Sequence, residues 1–139
     1  METKKLTCYD LMVGDYVYST FSDKPCKIQY IKLSEHGYGS VQVTGVDGVK
    51  DIVSLSPIPL TTEILDKNFE KDKYENYTYY EINDDFCIRN NFGRIYLAQW
   101  IDSECSLTQY PKLIIYLESV EQLQHALRLC GINDKEIVL

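Results

Sequence analysis

The side chains in this sequence that could serve as nucleophiles, bases or metal ligands are few and scattered. His36 and His125 are its two histidines; Cys8, Cys26, Cys87, Cys105 and Cys130 are its five cysteines. A cysteine nucleophile needs a base or a helix N-terminus to hold its thiolate. No cysteine here has a glycine-rich approach or that position, and Cys130 falls at the wrong end of its helix. The cysteine number is odd and no two are closely spaced, unlike a disulfide framework or a zinc knuckle. They read as reduced, small buried hydrophobes. Asp84-Asp85 and Asp102 with Glu104 could supply carboxylates to a metal or to acid–base work, although acids in turns are most simply solvated. There is no glycine-rich loop followed by Lys-Ser or Lys-Thr, and no dinucleotide fingerprint. Asn76-Tyr-Thr78 matches the glycosylation triplet by chance if the chain is cytoplasmic. The expectation is a non-enzyme with no cofactor and no metal site.

Tyrosine is the unusual component, with twelve in 139 residues. A phenol combines apolar area, low entropy cost and a hydroxyl, which suits interfaces. It also suits the exposed face of an antiparallel sheet. Tyr74, Tyr77, Tyr79 and Tyr80 cluster in the second half. Taken as an interaction surface, the candidate residues are Tyr16, Tyr18, Phe21, Tyr38, Tyr77 and Tyr79.

Hydrophobic residues make up 45% and charged residues 25% of the chain, enough for a packed core. No apolar run is long enough to cross a bilayer, and the opening residues lack the apolar core of a signal peptide. A soluble, cytoplasmic protein with no membrane partner is expected. Net charge is −7. Residues 1–60 carry six lysines against seven acids, a balance of −1, and residues 61–139 carry the remaining −6. That acidity disfavours general binding to phosphate backbones.

Positioning begins with short strands. Gly14-Asp15 is a turn feeding a strand from Tyr16 to Phe21, and Ser22 to Pro25 is a second turn. Cys26 to Leu33 alternates, Gly37-Tyr-Gly39 breaks it, and Val41 and Val43 alternate in a third strand. Asp47-Gly48 is a hairpin signal before a fourth strand, Val49 to Leu55. Four strands joined by tight turns predict a small, bent antiparallel sheet or barrel. Leu11-x-x-Gly-Asp-x-Val17 resembles the first strand of SH3-like barrels. That resemblance implies binding rather than catalysis, with Tyr16, Tyr18, Phe21 and Tyr38 as the gripping rings; packing in a small core is their other use.

Ser56-Pro-Ile-Pro-Leu60 ends this sheet. Thr61 or Thr62 can cap a short helix from Glu63 to Asn68, and Glu70 to Asn76 reads as a charged loop. Pro57-Ile-Pro-Leu-Thr, Glu63-Ile-Leu and Asn68-Phe69, with Leu123-Gln124 near the end, resemble a family of small uncharacterised proteins of gut-bacterial genomes and prophages. The family pattern often has a glycine between the Asn and the Phe, absent here, and a histidine where this chain has Glu121. The resemblance implies a mobile-element setting and no chemistry.

In the second half, Tyr77 to Ile82 and Phe86 to Arg89 are strands separated by Asn83-Asp-Asp85. Asn90-Asn-Phe-Gly93 is a loop. Arg94 to Ile101 is apolar on both sides except at Gln99, as a covered central strand would be. Leu113 to Leu117 is a fully apolar strand. Ser119 and Gln122 have capping-box spacing before a helix. Val120, Leu123, Ala126, Leu127 and Cys130 form its apolar stripe, Gly131 is placed to end it, and Glu121 and His125 share the solvent side. Glu136 to Leu139 reads as a final short strand.

The predicted class is α+β. Residues 1–60 form an SH3-like barrel, 61–75 a connecting helix and loop, and 76–139 a β-meander packed by one amphipathic helix. Function is expected to be non-enzymatic protein interaction, with another protein or with itself. Two alternatives stand beside it: nucleic-acid binding by the first half through Lys24, Lys27 and Lys32, and capture of a small ligand or nucleotide between the halves.

Overall fold

The computed structural model describes residues 11–33, 39–74, 77–102, 109–132 and 135–139. The fold is α+β, built mostly from antiparallel strands, with two α-helices among the described residues. Chain contacts divide it into two units: Met1–Pro59 with Ser119–Gln124, and Leu60–Glu118 with His125–Leu139.

In the first unit β1 (Tyr16–Ser19), β2 (Cys26–Leu33), β3 (Gly39–Val43), β4 (Lys50–Asp51) and β5 (Leu55–Pro57) lie in the order β4-β3-β2-β1-β5. Alternation sends Val17, Cys26, Ile28, Val41 and Val43 into one core with Leu11, Ile52 and Leu55. The Leu-x-x-Gly-Asp pattern has a local reason. Gly14 takes φ +96°, and buried Asp15 closes the turn by accepting a 2.7 Å bond at Oδ2 from Met12 N.

The predicted fourth strand is not continuous. Asp51 Oδ1 accepts from Val53 N, and Ser54 Oγ donates to Asp51 O, fixing a 3-10 turn at Ile52–Ser54. The turn places Ile52 in the core, and β5 returns antiparallel to β1. Edge strands β4 and β5 are not paired with each other, so hydrogen-bonded closure into a barrel is not found among the described residues.

The second unit contains α1 (Thr62–Asn68), β6 (Lys71–Tyr74), β7 (Tyr77–Glu81), β8 (Phe86–Asn91), β9 (Arg94–Asp102) and β10 (Gln109–Leu117). The sheet order is β10-β9-β8-β7-β6. Thr61 caps α1, its hydroxyl accepting from Ile64 N at 3.3 Å. Tyr80, Ile88 and Leu97 lie side by side across three strands, all buried, and the Tyr80 hydroxyl donates to Asp66 of α1 at 2.8 Å. The reverse face carries the row Tyr79, Arg89, Tyr96 and Tyr116.

Several expectations are corrected here. Lys71–Tyr74, expected inside a charged loop, is edge strand β6, paired with β7. The apolar Leu113–Leu117 run belongs to the edge strand β10, with Ile114, Ile115 and Tyr116 exposed. Glu136–Leu139 forms no strand. Instead Asn68 holds it: its Nδ2 donates to Val138 O at 2.8 Å and its Oδ1 accepts from Val138 N at 2.6 Å.

The last helix, α2 (Val120–Leu129), buries Val120, Leu123, Ala126 and Leu127 as its spacing requires. Its first part, through Gln124, groups with the first unit. Gly131 at φ +82° ends it, with Gly131 N bonded to Arg128 O and Ile132 N to Leu127 O, a Schellman pattern. The expected capping box is not formed: the buried Ser119 hydroxyl has no hydrogen-bond partner among the described residues, and Ser119 O accepts from Leu123 N. Glu121, expected on the solvent side, is buried, and His125 is half-buried.

Candidate interaction surface

Strand β1 alternates Tyr16 and Tyr18 outward with Val17 and Ser19 inward. Tyr16 is half-buried beside its cross-strand neighbour Lys27, whose ammonium lies 5.7 Å from the ring centroid. Tyr18 is 41% exposed, and Phe21, just beyond the strand, is 57% exposed. Lys50 Nζ stands 4.6 Å from the Phe21 centroid, within cation–π range.

Tyr30, which the sequence reading does not single out, is 49% exposed. A register shift between Ile28 and Tyr30 accounts for it. The irregularity interrupts the strict alternation of β2, so Tyr30 pairs with exposed Gln42 while Ile31 faces the core. Lys24 and Lys32 are exposed. The aromatic groups of this unit are thus interleaved with lysines and amides.

The anchoring of β1 is the other contact that sequence spacing does not announce. Gln124 accepts from Tyr16 N at Oε1 (2.9 Å) and donates through Nε2 to Gly14 O (3.0 Å). One amide thereby satisfies two backbone groups at the start of the strand that carries Tyr16 and Tyr18.

The remaining candidates lie elsewhere. Tyr38 is outside the described residues, as are His36, Cys8 and Cys105. Tyr77 opens β7, paired with Tyr74 of β6. Tyr79 is half-buried; its hydroxyl donates to Asp72 at 3.0 Å, and its ring meets Trp100 edge to face at 5.2 Å. Burial, then the Asp72 hydrogen bond, pushes its phenol up to about 12.

Among the described residues, the thiols and turn carboxylates singled out in the sequence are placed as follows. Cys26 and Cys87 are buried free thiols, and burial pushes Cys87 up to about 12 although Arg89 acts in the opposite sense. Burial raises Cys130 as well. A raised pKa keeps a thiol protonated and a poor nucleophile. Asp84 and Asp85 are exposed in a turn where Asn83 Oδ1 accepts from Asp85 N and Phe86 N. Among the described residues, no group of three or more His, Cys, Asp or Glu is placed to hold a metal ion. No helix among them is long and apolar enough to cross a membrane. Compared with known protein families, with curated proteins and with solved structures, the chain matches none.

Proposed function

We propose that this chain is a non-enzymatic, cytoplasmic protein-interaction module whose first unit is SH3-like in outline. A four-strand meander, a single 3-10 turn and a fifth strand returning beside the first is a path that small bent sheets take toward closure. The observation that carries the reading is the exposure of Tyr18, Phe21 and Tyr30, with Lys50 held over Phe21. Rigid rings flanked by cations suit an extended acidic peptide with apolar side chains. A mobile-element origin, implied by the resemblance of the Pro57–Phe69 run, belongs to the same proposal.

The test is a displayed library of random peptides selected against the intact protein. Selected binders are enriched in acidic residues and lose about tenfold or more in affinity to a Tyr18→Ser, Phe21→Ser, Tyr30→Ser variant. Unchanged affinity in that variant, or selection yielding no binder, overturns the proposal. Lys27 beside Tyr16 and Lys32 near Tyr30 give the nucleic-acid alternative its footing. Its measure is fluorescence anisotropy with a single-stranded oligonucleotide: tight binding at low salt that decays steeply with added salt transfers the surface to that reading.

A further inference from the structure

Two features of the second unit, at opposite ends of the β8–β9 hairpin, match each other. The first is the tip. Asn91 pairs with Arg94, so Phe92 and Gly93 are the two turn residues, at φ +54° and +86°. Such a turn favours Asn or Gly at both positions. Phe92 is the one non-glycine residue with positive φ among the described residues, and its side chain is fully exposed. Neither backbone preference nor burial selects a phenylalanine there. Beside it stands exposed Arg94, and from Phe86 to Trp100 the hairpin carries Arg89 and Arg94 and no carboxylate. Exposed Arg94 thus gives this tip one cation beside its apolar ring.

The second feature is a cleft of about 270 Å³ lined by Glu81, Ile82, Asn83, Asp84, Trp100 and Gln109. Its lining joins an indole and an isoleucine to two carboxylates and contains no cation. It has the opposite charge to the tip and an aromatic partner for the ring. Trp100 lies six positions beyond Arg94, about 20 Å along one strand, so the tip cannot reach the cleft of its own molecule.

We propose that the occupant of this cleft is the Phe92–Arg94 tip of a second copy. The Phe92 ring packs against Trp100 and Ile82, and the Arg94 guanidinium meets Glu81 and Asp84. The two surfaces differ, so the contact is heterologous and each added copy leaves one tip and one cleft unused. A contact of this size is weak and concentration-dependent. The proposal goes beyond the interaction surface of the first unit and uses none of its residues, so either can fail alone.

Sedimentation velocity on the full chain, from micromolar to submillimolar concentration, tests it. The wild-type sedimentation coefficient climbs with concentration, less so at high salt, where the charge contribution is screened. Phe92→Asn keeps the cleft and loses the tip; Glu81→Lys with Asp84→Lys keeps the tip and loses the cleft. All three positions are exposed, and an unchanged circular dichroism spectrum verifies folding. Each variant alone associates about tenfold more weakly or not at all. Mixed in equal amounts they form a 1:1 dimer and stop, because one intact tip meets one intact cleft. A wild type that stays monomeric throughout at low salt overturns the proposal. So does a Phe92→Asn variant that associates like wild type, or a mixture that behaves as the sum of its parts.

Discussion

Phe92 stores backbone strain that a single substitution can release. A left-handed conformation crowds the Cβ of an L-residue, and asparagine tolerates it better than phenylalanine because its short polar side chain bonds locally. With no buried contact to lose, Phe92→Asn should stabilise the fold by about 0.5–1 kcal/mol, seen as a higher urea midpoint at unchanged slope. Two weak acids of the second unit, buried Cys87 and half-buried Tyr79, make a separate prediction at the same scale. Cys87 is held at about 12 instead of 9.0, mainly by burial, and Tyr79 at about 12 instead of 10.0. Both bind their protons more tightly folded than unfolded. Their contribution to stability is therefore complete below the unfolded value and lost as pH rises through the window up to about 12. The urea midpoint should begin to fall near pH 9 and continue downward above it, and Cys87→Ala should flatten the onset, which lies below the ordinary tyrosine value of 10.0. A midpoint independent of pH across that range would contradict the burial of Cys87 and the Tyr79–Asp72 hydrogen bond.

Single amides tie down two elements in ways that no spacing rule announces. Gln124, on the helix α2, clamps Gly14 and Tyr16 at the start of β1, and Asn68 at the end of α1 takes both backbone groups of Val138 while also donating to Ile64 O. Removing such an amide strands backbone groups that are partly shielded from water, which costs about 1–3 kcal/mol. Gln124→Ala should lose that amount, and Asn68→Ala should in addition raise hydrogen exchange at Val138 selectively. Exchange that rises equally throughout the second unit would mean that Asn68 supports the whole unit and not the terminal segment. Helices and alternating strands were legible here where their signals are local: the stripe of α2, its Gly131 end and the first part of the β2 alternation, Cys26 and Ile28, follow from neighbours in sequence. Strand β6 was not, because Lys-Asp-Lys-Tyr at a sheet edge has no inward face to mark it. Glu136–Leu139 has a strand's composition but takes its hydrogen bonds from a side chain. The candidate surface was legible in residue type only. Tyr18 and Tyr80 look alike in sequence; one is exposed and the other buried against Asp66 because of strand position and a partner fourteen residues away. Tyr30 depended on the irregularity in β2, and Phe92 on the pairing of Asn91 with Arg94.

At the scale of the whole molecule, both sheets keep their edges unattractive to other strands. In the first sheet the edge strands β4 and β5 have two and three residues, and β5 ends in Pro57. In the second, β6 alternates charge, while β10 is long and exposes Ile114, Ile115 and Tyr116. Strand β10 is the vulnerable one, and three features protect it. A register shift between Leu113 and Ile115 distorts its middle, and at its end Glu118 O is taken by Leu60 N at 3.0 Å. The third is Pro111. Trp100 N bonds to Asp85 O, so Trp100 presents its backbone to the β8 side, and its β10 neighbour Pro111 turns its nitrogen to the free edge. A proline there offers no donor to an incoming strand. Pro111→Val restores that donor within a run of apolar residues. The variant should keep its far-ultraviolet spectrum yet aggregate several-fold faster at high concentration, with thioflavin fluorescence that the wild type lacks. Aggregation unchanged by the valine would place the protection in the bulge and the Leu60 contact instead, and Ile114→Pro would then be silent as well.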